Sequence, residues 1–418
     1  MRILHTSDWH LGKMLENINR LDEQRQFIDQ LCDLAESEKI DVVLVAGDIF
    51  DTYNPSSAAE ELFYEAIDRL SSRGSRAVVV IAGNHDNPDR LCAASPLANK
   101  NGIILLGYPA SDPGVWKSES GGVAVVRSGP GWLELNVAGC EHNAVIITLP
   151  YPSEARLDQV LANDPDEKKI QMAYSDKVKD IFTRLGQNFR DDTVNLIVGH
   201  IFMMGGKESE SERAIQVGGA MTVSPEALPS NAHYTALGHL HRPQQVKNAP
   251  CPAYYSGSPL AYSFSEADYS KALYIVDAAP GCETKIEEVY LSCGKPLKRW
   301  EAKDGIEQAI KWCEEGKDCN AWIDLEIHTD RPIMAEEQKR LRELNPGIIN
   351  IRPRIISEAE EVMDLKDRET RRIDELFIDY YKYKTGMEIS EELMSVFLEV
   401  LNEDNEEEKA DLTAETSA

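Results

Sequence analysis

Residues 41–52, DVVLVAGDIFDT, decide the fold class of this chain. Their first half is a continuous apolar run rich in β-branched residues, which is typical of a strand covered on both faces. Helix-spaced apolar residues lie on both sides, at 23–35 and 59–70, and a second apolar run, AVVVIA, occupies 77–82. Strands that alternate with helices in this way predict a parallel sheet joined by right-handed crossovers.

The chain between residues 121 and 293 predicts a second sheet. A Gly-Pro-Gly turn separates two strand-like segments, VAVVRS and WLELNVA, and AVIITLP follows them. The remaining elements expected here are a helix near 167–185 and strands at 194–198, 233–237, 253–256, 272–276 and 286–291. We therefore expect residues 1–293 to form an α/β domain of two packed mixed sheets flanked by helices.

Residues 294–356 predict a small β-α-β-α-β unit. Asp304 is placed to cap a helix that ends near Gly316, and the alternation of Ile323, Leu325 and Ile327 with polar residues predicts a half-buried strand. A second helix is expected at 334–344 and a strand at 348–355. A unit of this size can pack as a cap on the first domain.

The last 62 residues differ in composition from the rest. From Ser357 onward, 20 acidic residues stand against 7 basic ones, so almost half of the net charge of −28 lies here. Residues 357–402 contain a linker and two helical patterns, around 373–381 and 389–401, which Thr385-Gly386 separates. Residues 403–418 form an acidic tail whose composition is typical of disorder.

Composition excludes several classes of protein. The 418 residues carry 44 basic and 72 acidic side chains, which excludes a globally basic nucleic-acid binder but leaves room for a local basic groove. No run of eighteen apolar residues occurs, so no membrane-spanning helix is expected, and the first residues lack the apolar core of a signal peptide. The eight cysteines form no CxxC pair. We expect a soluble, multidomain, cytoplasmic protein.

Five short polar stretches fall where predicted strands end. Open α/β sheets gather functional groups at the carboxyl ends of their strands, so the stretches are expected to converge in one crevice. Their side chains are Asp, His and Asn without Cys, a set that suits Mn, Fe or Zn rather than a structural zinc site. The stretches are Ser7-Asp8-Trp9-His10, Gly47-Asp48-Ile49-Phe50-Asp51, Gly83-Asn84-His85-Asp86, Gly199-His200 and Gly238-His239-Leu240-His241.

The spacing inside these stretches supports a metal site. In an extended strand end, Asp8 and His10 are two residues apart and point the same way, and His239 and His241 obey the same rule. Two adjacent cations that share one carboxylate can hold a phosphate between them and activate water near neutral pH. Glycines, which permit tight turns or close backbone approach, come immediately before Asp48, Asn84, His200 and His239.

The order of the stretches along the chain is D-x-H, G-D-x-x-D, G-N-H-D, G-H and G-H-x-H. This pattern resembles that of the calcineurin-like metallophosphoesterases, and its motifs span residues 4–244. The fuller segments LHTSDWHLG, VAGDIFDT, AGNHDNPDR and GHLHRPQ resemble one branch of that family, the nuclease subunits that work with a coiled-coil ATPase. The resemblance implies a four-layer α+β sandwich, followed by the cap at 294–356 and a C-terminal helix-loop-helix.

The resemblance also implies which residues hold metal. It places Asp8, His10, Asp48 and His241 around a first ion and Asp48, Asn84, His200 and His239 around a second, so that Asp48 bridges the two. The expected cofactors are two divalent ions, Mn²⁺ or else Mg²⁺.

His85 and Asp51 are the candidate catalytic residues. The resemblance places His85 at the scissile phosphate, where a histidine can protonate or stabilise the departing alkoxide. Asp51 lies three residues after the bridging carboxylate and is a candidate to orient His85 and to favour its protonated form.

The implied partners are DNA, an ATPase and a second copy of the chain. Residues 366–402 would bind the coiled-coil base of the ATPase, and the alternative is an ordinary helical hairpin docked on the main body. Helices at 57–70 and 88–98, with Leu62 and Leu91, are our suggested dimer interface. Phosphate contacts need basic residues, and those near the motifs are too few to form a patch: Lys13, Arg20, Arg90, Lys207 and Arg242.

The expected function is a manganese-dependent, two-metal DNA nuclease near the nucleoid. It would act as an exonuclease on duplex ends and as an endonuclease on single-stranded or hairpin DNA, in DNA repair, recombination and replication. The alternatives are a metal-dependent phosphomonoesterase or small-molecule phosphodiesterase, and a non-catalytic adaptor of the ATPase. Elsewhere, Trp9 and His5 favour packing roles, and His328 with Asp324 and Glu326 favours a solvated strand face over a second metal site.

Overall fold

The computed structural model describes residues 1–153, 167–209, 211–212, 221–355, 377–378, 381 and 393–394. The chain divides into two compact units, residues 1–328 with 333–354 and residues 329–332 with 355–418. Almost all of the predicted linker and helix-loop-helix at 357–402, and the whole acidic tail at 403–418, lie outside the described residues. Those assignments stay predictions.

The larger unit contains the regular elements of the described chain. Its helices are α1 Leu21–Ser37, α2 Ser57–Ser71, α3 Pro88–Cys92, α4 Ser95–Ala98, α5 Glu167–Gly186, α6 Ile306–Glu314 and α7 Ala335–Leu344. Its strands are β1 Arg2–Thr6, β2 Met14–Leu15, β3 Ile18–Asn19, β4 Val42–Val45, β5 Ala77–Ile81, β6 Ile103–Leu106, β7 Trp116–Lys117, β8 Val123–Gly129, β9 Trp132–Val137, β10 Ala144–Leu149, β11 Val194–His200, β12 Phe202–Met203, β13 Thr222–Val223, β14 Tyr234–Gly238, β15 Gln244–Gln245, β16 Ala253–Tyr255, β17 Ala272–Asp277, β18 Lys285–Tyr290, β19 Leu297–Ala302, β20 Trp322–Thr329 and β21 Ile348–Ile355, the last two of which end at a residue of the smaller unit.

The two large sheets are both mixed. The first has the strand order β18-β17-β1-β4-β5-β6, in which β1, β4, β5 and β6 are parallel and β17 and β18 are antiparallel additions. The second has the order β15-β16-β14-β11-β10-β9-β8-β7, parallel from β16 to β10 and antiparallel from β10 to β7. The strands β4 and β5 are buried throughout, as their unbroken apolar runs predict.

Three apolar cores hold these layers together. One face of the first sheet packs against α1 and α2, with Val43 and Phe63 in the shared core. Its other face packs against the second sheet, where Leu44 and Leu196 share a core. The far face of the second sheet packs against α5. The order helix, sheet, sheet, helix confirms the predicted four-layer sandwich.

A third sheet, β19-β20-β21, has its own apolar core with α6 and α7. The predicted start of α6 is wrong by one residue, because Gly305 and not Asp304 occupies the N-cap position. The side chain of Asp304 instead accepts a hydrogen bond from Gln308 Nε2 at 3.0 Å. The elements lie within 294–356, and the assignment of a separate capping domain stays a prediction.

The carboxyl ends of β1, β4 and β5 in the first sheet and of β11 and β14 in the second carry the five polar stretches. The crevice therefore forms where two packed sheets end together. No helix in the described part of the chain is long and apolar enough to cross a membrane.

Candidate metal centre

The backbone of the centre departs from the extended form expected for it. The strand β1 ends at Thr6, and Asp8 and His10 adopt positive φ angles of 52° and 44°. Asp48 and His239 also have positive φ, at 50° and 110°. The prediction that Asp8 and His10 share an extended strand end is therefore wrong. Such conformations cost free energy in residues other than glycine and persist where the surroundings enforce them, as they often do at functional sites.

Main-chain hydrogen bonds enforce the conformation of the first two loops. The N–H of Asp8 donates to the carbonyl of Gly47 at 2.9 Å, and the N–H of His10 donates to the carbonyl of Asp48 at 3.0 Å. The loop after β1 thus continues alongside the loop after β4, although the strands themselves have ended.

Two glycines allow the loops to approach each other closely. A Cβ on Gly83 would lie 2.1 Å from Asp48 Oδ1, and a Cβ on Gly238 would lie 1.9 Å from the carbonyl oxygen of Ala46. Neither position has room for a side chain. Gly83 and Gly238 are therefore required by packing around the centre.

The first group of potential ligands is Asp8, His10 and His241. These three buried residues each offer an atom within 4.8 Å of the others. The Nε2 atoms of His10 and His241 face each other at 3.0 Å, and Asp48 Oδ2 lies 3.7 Å from His10 Nε2.

The second group is Asp48, His200 and His239, which also offer ligand atoms within 4.8 Å of one another. Asp48 Oδ2 lies 3.5 Å from His200 Nε2, so one carboxylate oxygen faces both groups. Asn84 Oδ1 completes this side, at 2.8 Å from His200 Nε2 and 3.2 Å from His239 Nδ1. The structure brings all seven predicted ligands into one crevice, with Asp48 between the two groups.

The charges in this crevice are strongly coupled. Burial raises the pKa of Asp8 to about 6 and lowers that of His239 to about 3. Burial also opposes ionisation of Asp48, but the charge and hydrogen bond of His200, together with the charges of His85 and His10, outweigh it and hold the pKa of Asp48 well below its usual range. In return Asp48 raises the pKa of His200 to about 9 against the effect of burial. The buried Asp48 carboxylate thus requires a positive charge beside it.

Divalent metal ions fit this donor set. Carboxylate, amide and imidazole atoms converge without a thiol, which suits hard or borderline cations. A cation held beside Asp48 would supply the positive charge that a proton on His200 otherwise supplies. The Nδ1 atom of His200 lies 2.8 Å from the carbonyl oxygen of Ala46, and this contact places the opposite ring nitrogen, Nε2, in the crevice.

His85 lies beside the first group, but its link to Asp51 differs from the one expected. His85 Nδ1 lies 2.7 Å from the main-chain carbonyl oxygen of Asp51, not from its carboxylate. The Asp51 carboxylate accepts a hydrogen bond from Lys13 Nζ at 2.8 Å and lies 3.7 Å from His10 Nδ1. The main chain of Asp51 therefore orients His85, while its side chain faces Lys13 and His10.

Asp86 is a structural member of the centre to which the sequence assigned no role. Its buried carboxylate accepts hydrogen bonds from the N–H groups of Ile49, Phe50 and Gly83 at 3.1, 2.9 and 2.8 Å. Burial and the nearby charge of Asp48 raise its pKa to about 6. Its place in the G-N-H-D motif was the available signal, because a carboxylate after a strand commonly binds the N–H groups of a neighbouring loop.

Tyr262 and Gln24 also support the first loop. The hydroxyl of Tyr262 donates to the carbonyl of Trp9, and Gln24 Nε2 donates to the carbonyl of His10 at 2.9 Å. Trp9 itself is fully buried and its ring packs against Phe27, as the packing interpretation expects. No pattern in the sequence links Tyr262 or Gln24 to the motifs.

The cluster on the third sheet is an ion-paired surface. Glu301, Glu326 and His328 meet within 4.8 Å, and Arg354 lies 3.9 Å and 3.3 Å from the two carboxylates. This neutralisation agrees with the strand-face interpretation of His328. Asp324, which was expected on that solvated face, is instead buried and pairs with an arginine of β21.

Two suggestions about molecular surfaces are wrong. Arg20 is 1% exposed and pairs with Glu23, so it is not available to DNA. Leu62 and Leu91 are 0% and 2% exposed in the core between the first sheet and its helices, so they cannot form a dimer interface. The apolar face of each helix packs on its own sheet, which is the usual fate of such a face.

Comparisons with known proteins bear on the whole chain. Residues 1–243 match the family model described as calcineurin-like phosphoesterase, and residues 293–385 match one described as type 5 capsule protein repressor C-terminal domain. The SbcD subunit of the nuclease SbcCD from Bacillus subtilis (strain 168) is 46% identical over 409 residues, which cover 98% of this chain and 100% of that protein. The protein of the same name from Staphylococcus epidermidis is 26% identical, over 94% of this chain and 95% of its own length. The one from Rhodobacter capsulatus is 33% identical, over 67% of this chain and 67% of its own length.

Proposed function

Because the chain belongs to the calcineurin-like phosphoesterase family, in the branch of the SbcD subunits of the nuclease SbcCD, we propose that it is a metal-dependent nuclease that works with an SbcC-type ATPase. The observation that carries this proposal is the meeting of two ligand groups around the Asp48 carboxylate. The two groups come from loops of both large sheets, in a chain that matches a nuclease over nearly its full length.

The proposed cofactors are two divalent metal ions. Asp8, His10, Asp48 and His241 would hold the first, and Asp48, Asn84, His200 and His239 the second. Such a pair supplies positive charge to the phosphate and lowers the pKa of water. Manganese is the proposed metal, and magnesium is the alternative. An assay of cleavage with each ion distinguishes the two.

His85 is the proposed catalytic residue. Its Nδ1 is held by the main-chain carbonyl of Asp51, so Nε2 is the nitrogen available to a substrate. A phosphodiester releases an alkoxide, and a protonated imidazole at this position can donate a proton to it. Asp51 would contribute through its backbone, while its carboxylate, beside Lys13 and His10, stays a candidate for a supporting role.

The proposed substrate is DNA, cut exonucleolytically at duplex ends and endonucleolytically in single strands and hairpins. The test is an assay of the purified protein with Mn²⁺ or Mg²⁺ on linear duplex, hairpin DNA and nitrophenyl phosphate. We expect DNA cleavage that needs the metal, and His85→Ala should abolish it while metal uptake persists. Turnover of nitrophenyl phosphate without DNA cleavage would favour the monoesterase alternative. Cleavage that is undiminished in His85→Ala would contradict the role of His85.

The proposed SbcC-type partner binds through residues 366–402, with 294–356 acting as a capping domain. The test is co-purification of the ATPase with the full chain and with a chain that lacks residues 366–418. Loss of association is the expected result. Retained association would place the contact elsewhere.

A homodimer is also proposed, through the solvent-facing sides of α2 and α4. Tyr64 and Leu97 are 39% and 68% exposed on these helices, in contrast to the buried Leu62 and Leu91. Leu97→Glu should lower the molar mass measured by light scattering. An unchanged mass would exclude this surface.

A further inference from the structure

A buried polar network lies behind His241. Ser211 Oγ contacts both His241 Nδ1 and Glu266 Oε1, and the Glu266 carboxylate lies 3.7 Å from the imidazole. Lys271 Nζ binds the other oxygen of Glu266. The Glu266 side chain is 0% exposed and that of Lys271 is 9% exposed, so both charges are sheltered from water.

The network is anchored on every side. Besides binding Glu266, Lys271 Nζ donates to Ser258 Oγ at 2.8 Å and to the carbonyl of His241 at 3.0 Å. The N–H of His241 donates to Glu212 Oε1 at 2.8 Å. The backbone and the ring of His241 are thus both fixed by groups from outside the five motifs.

The hydrogen atoms of this network can be assigned. A carboxylate beside a buried ammonium group only accepts hydrogen bonds, so the single hydroxyl proton of Ser211 goes to Glu266. The Ser211 oxygen is then an acceptor, and His241 Nδ1 must carry the proton it receives. In the neutral imidazole, a proton on Nδ1 leaves the lone pair on Nε2, which lies 3.0 Å from His10 Nε2.

We propose that Ser211, Glu266 and Lys271 are positioning residues that fix the proton of His241 on Nδ1 and so keep Nε2 able to bind metal. This inference rests on the proposed two-metal function. Such outer groups orient a ligating histidine and set its tautomer. His200 and His85 have a main-chain carbonyl in the corresponding place, which no substitution removes. At His241 the corresponding group is a relay of side chains, from Lys271 through Glu266 to Ser211. This relay can be altered without changing a proposed metal ligand.

Two variants test the relay in different ways. Ser211→Ala removes it without changing charge and keeps the pair of Glu266 and Lys271. Glu266→Gln keeps the shape but offers an amide N–H to Ser211, which turns the hydroxyl proton towards His241 Nδ1. Matched controls are Ser270→Ala and Asp268→Asn, two exposed residues of the same segment.

The measurement is a titration of each full-length protein with Mn²⁺, in which electron paramagnetic resonance counts the free ion. We expect the wild type and both controls to bind two ions. In Ser211→Ala and Glu266→Gln, one ion should bind about 10–100-fold more weakly while the other keeps its affinity. Nitrogen NMR of ¹⁵N-histidine in the metal-free protein should show the His241 proton on Nδ1 in the wild type and a shift towards Nε2 in Glu266→Gln.

The outcomes separate this inference from the function on which it rests. Two ions at wild-type affinity in both variants would overturn the relay and leave the nuclease proposal standing. Equal weakening of both ions would also overturn it, because that result indicates general distortion. A wild-type protein that binds no Mn²⁺ would overturn the two-metal function and the relay together.

Discussion

Trp322 of the third sheet donates a hydrogen bond from its indole Nε1 to Glu23 Oε1 at 2.9 Å, and this contact ties the third sheet to α1. Arg20, which is fully buried, donates to both oxygens of the same carboxylate at 2.6 and 2.9 Å. The N–H of Lys295 donates to Oε2 at 2.6 Å. One buried carboxylate therefore joins three segments of the chain.

The next residue of the same helix reaches the metal centre. Gln24 donates to the carbonyl of His10 and accepts from the N–H of Gly12, both at 2.9 Å. The first turn of α1 thus contacts the third sheet through Glu23 and the metal-binding loop through Gln24.

Trp322→Phe should lower the free energy of unfolding. The substitution removes a hydrogen bond to an ionised group, which contributes about 1.5–3 kcal/mol. The control is Trp116→Phe, because the indole N–H of Trp116 is buried and has no hydrogen-bond partner among the described residues. Urea denaturation of both variants should show a larger loss for Trp322→Phe, and equal losses would contradict the importance of this contact.

Glu23→Gln should be more damaging than a matched change on the surface. It leaves the buried guanidinium of Arg20 without its counter-charge, and breaking such a pair costs about 3–5 kcal/mol. Glu65→Gln removes an exposed pair with Arg25, whose side chains are 39% and 45% exposed, and should cost about 0–1 kcal/mol. Similar denaturation midpoints for the two variants would show that the buried pair does not stabilise the fold.

Gly238→Ala should disrupt the metal centre, whereas Gly199→Ala should not. The added methyl group would lie 1.9 Å from the carbonyl oxygen of Ala46 at position 238, but 3.7 Å or more from its neighbours at position 199. Both glycines come immediately before a proposed ligand. A difference between the two variants therefore reports the steric clash and not the position next to a ligand. We expect a loss of Mn²⁺ binding in calorimetry only for Gly238→Ala. Normal binding by that variant would refute the required close approach.

The salt bridge between Glu134 and Arg190 should make stability depend on pH. Two hydrogen bonds from Arg190, at 2.9 and 2.8 Å, outweigh burial and hold the pKa of Glu134 below its ordinary value of 4.5. The ionised carboxylate therefore stabilises the fold above that ordinary value, and this contribution is lost as the pH falls through the lower pKa of the folded state. Urea denaturation should give the wild type a higher free energy of unfolding than Glu134→Gln. This difference should be constant near neutral pH and should shrink below about pH 4.5. A difference in free energy of unfolding that grows on acidification would contradict the predicted pH dependence.

The layers and the convergence of the motifs were predictable from the sequence because both follow from strand periodicity. A run such as VVLV at 42–45 specifies a buried parallel strand, and polar residues directly after such strands must gather at one edge. The left-handed conformations of Asp8 and His10 were not predictable, because they result from hydrogen bonds to a loop that lies some forty residues away.

The errors have a common physical cause. The sequence suggests Arg20 as a DNA contact and Leu62 as an interface residue, yet each is buried by a partner that is distant or unmarked in the sequence. A charged side chain such as that of Arg20, close to the motifs, is expected to be exposed to solvent. Only the fold shows that Arg20 is buried and that Glu23 neutralises its charge. Ser211 and Glu266 could not be found for the same reason, because no periodic pattern connects them to His241.

The division of the centre between two sheets has a consequence for biosynthesis. A nascent polypeptide that has emerged from the ribosome as far as β6 already carries Asp8, Asp48 and Asn84, but none of the histidines from the second sheet. The first sheet itself lacks β17, the neighbour of β1, until about residue 277 has been translated. The full set of seven proposed ligands, on a complete first sheet, is therefore available only after nearly complete synthesis of the sandwich.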